Sequence, residues 1–301
     1  MVRDRPAVIA AVPTPFTGTG DLDLAAAEAL FRFTAAAGAE LFVAGTTGEF
    51  PALDDAERSA LIETALLAAG PERVVAHVGA PDARRAGRLA AQAAALGVRR
   101  IAAITPHYLP ARPDEIERYY KQVSEASGAA DTYAYLFPER TGVVVDPEQL
   151  ARIAEAAGLA GAKLSGGAAL DLAGYTAAAP QLTIYSGDDG DLAACARAGA
   201  AGIVSGLSAA FPETFTALSA ALESGDALGA QRHQRAVERI AATLGSSIGR
   251  LKLAVRLRGF GGSAARMTVD APDPAAAEAV ARLVADLAPG HAPSAASAPL
   301  R

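Results

Sequence analysis

A single cysteine, Cys195, in 301 residues excludes an intrachain disulfide and any zinc site built from several thiolates. That usage fits a reducing cytoplasm. The four histidines, His77, His107, His233 and His291, are dispersed, with no His-x-His or His-x-x-x-His pair to seed a metal centre, so neither a metal nor another cofactor is expected. Basic stripes are missing too. Lys and Arg are scattered through a chain of net charge −6 with 20% charged residues, which argues against a nucleic-acid partner. No charge-free apolar run approaches a membrane span, and the opening MVRDRPAVIAAVPTPF is cut by prolines before it reaches the apolar length of a signal peptide. The mean hydropathy of +0.21 reflects alanine-rich helices instead.

What is present is alternation. Short β-branched or apolar runs at 8–12, 41–43, 74–77, 100–104, 132–135, 161–163, 183–186 and 202–204 read as strands. Between them lie longer alanine-rich stretches whose Leu, Ile and Val recur at helical spacing, for example 54–69 with Asp54 as N-cap and 83–95 closed by Gly97. Strict alternation implies a parallel sheet, and eight units in a chain of this length favour a closed (β/α)8 barrel over an open doubly wound sheet. The expected organisation is a barrel over residues 1–222, a helical C-terminal segment packed on it over 223–290, and a disordered tail over 291–301, where HAPSAASAPLR has little to bury.

In a parallel barrel the active site forms at the carboxyl ends of the strands, so polar residues at those positions carry the chemistry. The second strand runs into Gly45-Thr46-Thr47-Gly48-Glu49, the fourth into Thr105-Pro106-His107-Tyr108, and the fifth into a segment from Tyr135 through Arg140 to Gly142. The sixth ends on Lys163 and the seventh on Ser186-Gly187-Asp188-Asp189. Lys163 stands among apolar and small residues, and an amine buried in such surroundings favours its neutral, nucleophilic form. A lysine merely reaching the rim is the structural alternative. Tyr135, next to the lysine strand, is placed to shuttle protons, although a packed core tyrosine would look the same in sequence. A phenol of ordinary pKa is a poor base near neutrality, so it needs partners, and Thr46 and Tyr108 could supply a relay. The turn at 45–49 exposes N–H groups and two hydroxyls suited to a carboxylate. Arg140 could grip a second carboxylate or form a surface salt bridge. Asp188 and Asp189 could cap the seventh helix or touch ligand, and their charge argues against a phosphorylated substrate.

Taken in order, these motifs, with Thr14-Pro15-Phe16 near the start, resemble the dihydrodipicolinate synthase and N-acetylneuraminate lyase family from Val8 to at least Pro212. The resemblance implies a class I, Schiff-base-forming lyase in which Lys163 forms an imine with pyruvate, Tyr135 is the proton shuttle and Thr46 connects it to Tyr108. It further implies that Thr47 holds the pyruvate carboxylate, that Gly187 and Val204 line the site, and that Tyr108 reaches into a neighbouring subunit of a homotetramer built from tight dimers. An arginine matching Arg140 is typical of the synthases, where it binds the carboxylate of aspartate semialdehyde. This implies 4-hydroxy-tetrahydrodipicolinate synthase-like chemistry. Aldolases or dehydratases of 2-keto-3-deoxy sugar acids, N-acetylneuraminate lyases and a non-catalytic ligand-binding barrel are the alternatives.

The chain departs from the family pattern at Leu136, where asparagine is common, at Leu164-Ser165-Gly166-Gly167 after the lysine, and at His107, where a second tyrosine is frequent. Glu139 could pair with Arg140 and weaken its pull on an anion. Pro81, Arg85 and His107 stand where lysine-regulated synthases carry polar residues, which implies no feedback inhibition by lysine.

Overall fold

Eight parallel strands close on themselves in chain order, with β8 paired to β1 by Ala7↔Gly202 through Ala10↔Ser205. The computed structural model describes residues 5–190 and 192–288. The strands are β1 Ala7–Ala11, β2 Glu40–Val43, β3 Val74–His77, β4 Arg100–Ile104, β5 Asp131–Leu136, β6 Gly161–Leu164, β7 Thr183–Ser186 and β8 Gly202–Ser205. Helices α1 Leu24–Ala36, α2 Asp55–Ala69, α3 Ala83–Ala95, α4 Pro113–Ala126, α5 Pro138–Thr141, α6 Pro147–Ala157, α7 Gly167–Leu170, α8 Leu172–Ala178, α9 Leu192–Arg197 and α10 Pro212–Ser224 lie between and after them. The C-terminal helices are α11 Ala227–Leu244, α12 Ile248–Leu257 and α13 Pro274–Leu287. The expected (β/α)8 architecture is the one found. The tail over 291–301 lies outside the described residues.

Alternate residues of each strand feed two separate cores. Ile9, Phe42, Val75, Ile104, Tyr133, Tyr135, Tyr185 and Val204 fill the barrel interior, while Val8, Leu41, Val43, Ile101, Ala134, Leu164 and Ile203 meet the surrounding helices. With both faces buried, the strands read in sequence as continuous apolar runs rather than alternating ones. Carboxylates start many of the helices. Asp54 forms a capping box with Glu57, and the side chains of Asp23, Asp82, Asp146, Asp226 and Asp273 each accept a first-turn N–H, contributing about 1 kcal/mol apiece. Helix α11 packs on α10, and α13 packs on both α11 and α12. Among the described residues no helix is long and apolar enough to cross a membrane.

Candidate active site

Lys163 and Tyr135 are register partners on adjacent strands, so the pleat sends both side chains into the barrel at the same height. Both are buried. The Lys163 Nζ lies 4.1 Å from the centroid of the Tyr135 ring and 4.9 Å from that of Phe42. The Tyr135 hydroxyl is 3.2 Å from Thr46 Oγ1, so the phenol has one of its expected partners within hydrogen-bond reach.

Thr46 and Thr47 belong to a loop that is fixed from many sides. Thr14 Oγ1 donates to Gly48 O at 2.7 Å, and Arg58 donates to Phe50 O at 3.0 Å. The carboxylate of Glu49, completely buried, receives the N–H groups of Arg266 and Met267 at 2.8 Å each and the ammonium of Lys252 on α12. Burial pushes the Lys252 pKa down while Glu49 opposes the shift. The N–H groups of Thr46 and Thr47 meet no acceptor among the described residues and remain available to an anion.

These residues open on a cavity of about 630 Å³ that Thr46, Thr47, Tyr135, Arg140, Lys163, Gly187 and Val204 all line. Gly187 has a steric reason to be glycine, since a methyl group there would stand 2.2 Å from Ser165 Oγ and 2.9 Å from Leu164 O. Arg140 is exposed, lies 5.7 Å over the Phe137 ring and makes no ion pair among the described residues. The pairing with Glu139 that the sequence left open does not form. Instead Glu139 accepts the N–H of Gly167 at 2.7 Å, bridging the fifth loop to the sixth, because the bare backbone of Gly166 and Gly167 lets the carboxylate approach that closely.

Tyr108 and the paired aspartates take separate places. Tyr108 is 91% exposed, with φ of 81°, and does not reach Thr46 or Tyr135 within the chain, so any relay through it needs another molecule. The paired aspartates divide. Asp188 accepts the N–H of Gly190 at 2.8 Å, while Asp189 lines the cavity with Lys163. Its Oδ1 is shielded and without a hydrogen-bond partner, and burial, partly offset by Ser205 and Lys163, pushes its pKa up to about 6.

Sequence reasoning missed the contribution of the C-terminal helices, which it read as an appendage. The corner between α11 and α12 supplies Gly245, Ser246, Ser247, Ile248 and Leu251 to the cavity wall. A pair of serines between two helical stretches carries no signal of this, since Ser247 is also the N-cap of α12. A second cavity of about 310 Å³ adjoins the first at Thr46, Arg140, Ser246 and Ile248, and is further lined by Phe50, His107 and Thr141.

The model of the dihydrodipicolinate synthetase family matches residues 5–272. The 4-hydroxy-tetrahydrodipicolinate synthase of Acidothermus cellulolyticus is 33% identical over 286 residues, covering 93% of this chain and 91% of that protein. Among solved structures, dihydrodipicolinate synthase from Thermotoga maritima superposes with a TM-score of 0.85 at 26% identity, over 94% of this chain and 99% of that one. YagE, a prophage protein of the dihydrodipicolinic acid synthase family from E. coli K12 solved in complex with pyruvate, shares the fold at a TM-score of 0.85 and 24% identity, over 94% of this chain and 98% of its own. Fold and relatives together define a lyase on a (β/α)8 barrel. The chain belongs to the dihydrodipicolinate synthetase family.

Proposed function

We propose that Lys163 condenses with the ketone of pyruvate and that the resulting enamine adds to aspartate semialdehyde, the reaction of a 4-hydroxy-tetrahydrodipicolinate synthase. The observation that carries the proposal is the in-register pair of Tyr135 and Lys163 with Thr46 on the Tyr135 hydroxyl at 3.2 Å. In the scheme, the amine adds to the carbonyl carbon, and Tyr135 delivers a proton to the oxygen as water leaves the carbinolamine. Loss of a methyl proton from the imine gives the enamine. The imine itself is the electron sink, so the scheme calls on no metal or organic cofactor. The enamine carbon then bonds to the aldehyde carbon, and attack of the new chain's own amine on the imine carbon closes the ring and frees Lys163.

The N–H groups and hydroxyls of Thr46 and Thr47 suit the pyruvate carboxylate, and Arg140, held by no carboxylate of its own, suits that of the aldehyde. Tyr108 enters the scheme from a second copy, whose exposed ring would fill the cavity beside Thr46 and extend the relay. We place the active form as a cytoplasmic homotetramer of such dimers. A second reading, as an aldolase or dehydratase of deoxy sugar acids, is favoured by Ser165, Ser246 and Ser247 in the same cavity, which suit a polyhydroxylated chain.

Incubation with pyruvate and borohydride, followed by intact mass and peptide mapping, tests the common step. A reduced adduct on Lys163, absent in Lys163→Ala, is the expected result, and its absence at saturating pyruvate overturns the proposal. Turnover with aspartate semialdehyde against deoxy sugar acids then separates the two readings.

A further inference from the structure

His77, the last residue of β3, is completely buried directly below the site, and the scheme above gives it no task. Both ring nitrogens are engaged. Nδ1 lies 2.9 Å from Ala44 O, which can only accept, so this nitrogen carries the hydrogen; Nε2 lies 3.3 Å from the N–H of Ile104 and accepts from it. The imidazole is therefore one neutral tautomer, with no nitrogen left for a substrate. Burial first, and then the charge of Arg58, hold its pKa well below the ordinary value, consistent with that assignment.

The two partners are informative. Ala44 is a non-glycine residue with φ of 55°, a left-handed conformation that costs about 1–3 kcal/mol and persists only where surroundings enforce it. It turns the chain out of β2 into Gly45, Thr46 and Thr47. Ile104 is the register partner of Tyr135. The backbone ladder between β3 and β4 reaches Val78 N–H donating to Ala102 O at 2.8 Å, and His77 serves Ile104 N–H beyond it. Gly79 leaves the space required, since a methyl group there would lie 2.7 Å from both Nε2 and the Ile104 nitrogen. The ring also packs 4.6 Å from Phe50 and 6.0 Å from Tyr135, centroid to centroid. One side chain thus ties the turn that presents Thr46 to the strand beside Tyr135.

We infer that His77 is a positioning residue for imine formation: its Nδ1–H holds Ala44 in the left-handed turn and so sets Thr46 against the Tyr135 hydroxyl and Thr47 toward the cavity. This rests on the imine reading of the site. Three variants separate the two hydrogen bonds. The Nδ2 of His77→Asn overlies Nδ1 and keeps the bond to Ala44, His77→Gln reaches the Ile104 N–H in place of Nε2 and loses Ala44, and His77→Leu loses both.

Each full-length variant is read by the rate of borohydride-trapped pyruvate adduct on Lys163, by the pyruvate concentration giving half that rate, and by amide hydrogen exchange over residues 44–50 against residues 161–164. His77→Gln and His77→Leu are expected to trap roughly 10- to 100-fold more slowly, with faster exchange confined to residues 44–50, as expected for a catalytic group displaced by about 1 Å. His77→Asn should stay within about threefold of wild type, since its retained bond leaves the geometry in place. Wild-type trapping and exchange in His77→Gln, or trapping in His77→Asn as slow as in His77→Gln, overturns the inference. Should His77→Leu fail to fold, the contrast between Asn and Gln decides alone. If wild type yields no adduct, the imine reading falls, and the exchange contrast between the variants still decides whether His77 holds the turn.

Discussion

The loops after β2 and β4 carry the two hydroxyl groups expected to flank Tyr135, and they are held in opposite ways. In the first, Ala44 O, Gly48 O, Phe50 O and the Glu49 carboxylate are each tied by a side chain or backbone group from another element. In the second, Tyr108 and Leu109 are 91% and 69% exposed, and the left-handed Tyr108 makes no hydrogen bond among the described residues. A left-handed tyrosine and two exposed apolar side chains leave this loop strained at one residue and open to solvent. One half of the relay is preorganised by the chain itself, and the other half waits for a second copy in the proposed assembly.

Breaking the clamp should have the largest effect. Lys252→Met strands the buried Glu49 carboxylate and should destabilise the fold by about 3–5 kcal/mol in urea unfolding, as removal of one partner from a buried ion pair does. A loss below about 1 kcal/mol would mean that the loop after β2 is not held from the C-terminal helices, since surface pairs alone lose that little.

Thr46→Val keeps the loop and removes only the hydroxyl facing Tyr135. Turnover should fall roughly 100-fold, the scale of lost proton-transfer assistance, while the melting temperature stays near that of wild type. Equal losses in both would assign Thr46 to folding rather than to the relay.

Tyr108→Ala sharpens the other side of the comparison. Stability of the single chain should change by less than about 0.5 kcal/mol, as for an exposed residue, while turnover falls. Mixing it with Lys163→Ala should restore part of the activity, because the mixed dimer has one site with Lys163 and an incoming Tyr108. No recovery on mixing would place Tyr108 outside the partner's site.

The seventh loop is an intermediate case, since Asp189 is shielded yet unpartnered on one oxygen. A carboxyl whose pKa is raised by folding stabilises the fold fully below its unfolded value of 3.8 and loses that contribution as pH rises through about 6. The stability of Asp189→Asn relative to wild type should therefore improve between those two pH values and level off above them. A difference independent of pH would mean that Asp189 does not titrate in that range. The smallest effect is expected from lysine, which at millimolar concentration should leave turnover unchanged; Arg85, at one of the positions compared with regulated synthases, is already bound to Asp55 at 2.9 Å.

Much of the fold was legible. The runs at 74–77, 100–104 and 183–186 coincide with β3, β4 and β7, while β1 begins and ends one residue earlier than its apolar run suggests. A strand buried on both faces has no polar alternation to mark its ends, so Val12 reads like strand although only its N–H, bonded to Phe42 O at 3.2 Å, continues the ladder. The site was legible where residues sit at strand ends, as Lys163, Tyr135 and Thr46 do. Ser246, Ser247 and Lys252 were not, because their role depends on where α11 and α12 dock, and helical periodicity reports only that a face is buried, not against what.

The sequence by itself determined the alternating units, the barrel and the amine at the end of the sixth strand, because periodicity, turn residues and strand-end chemistry are properties of short segments. Only the tertiary structure decided which charges are spoken for. Glu139 turned to Gly167 and left Arg140 open, Glu49 closed on Lys252 across 203 positions of chain, and Asp189 came to share a cavity with Lys163. Those pairings depend on distances between loops that closing the barrel sets, and no local pattern encodes them.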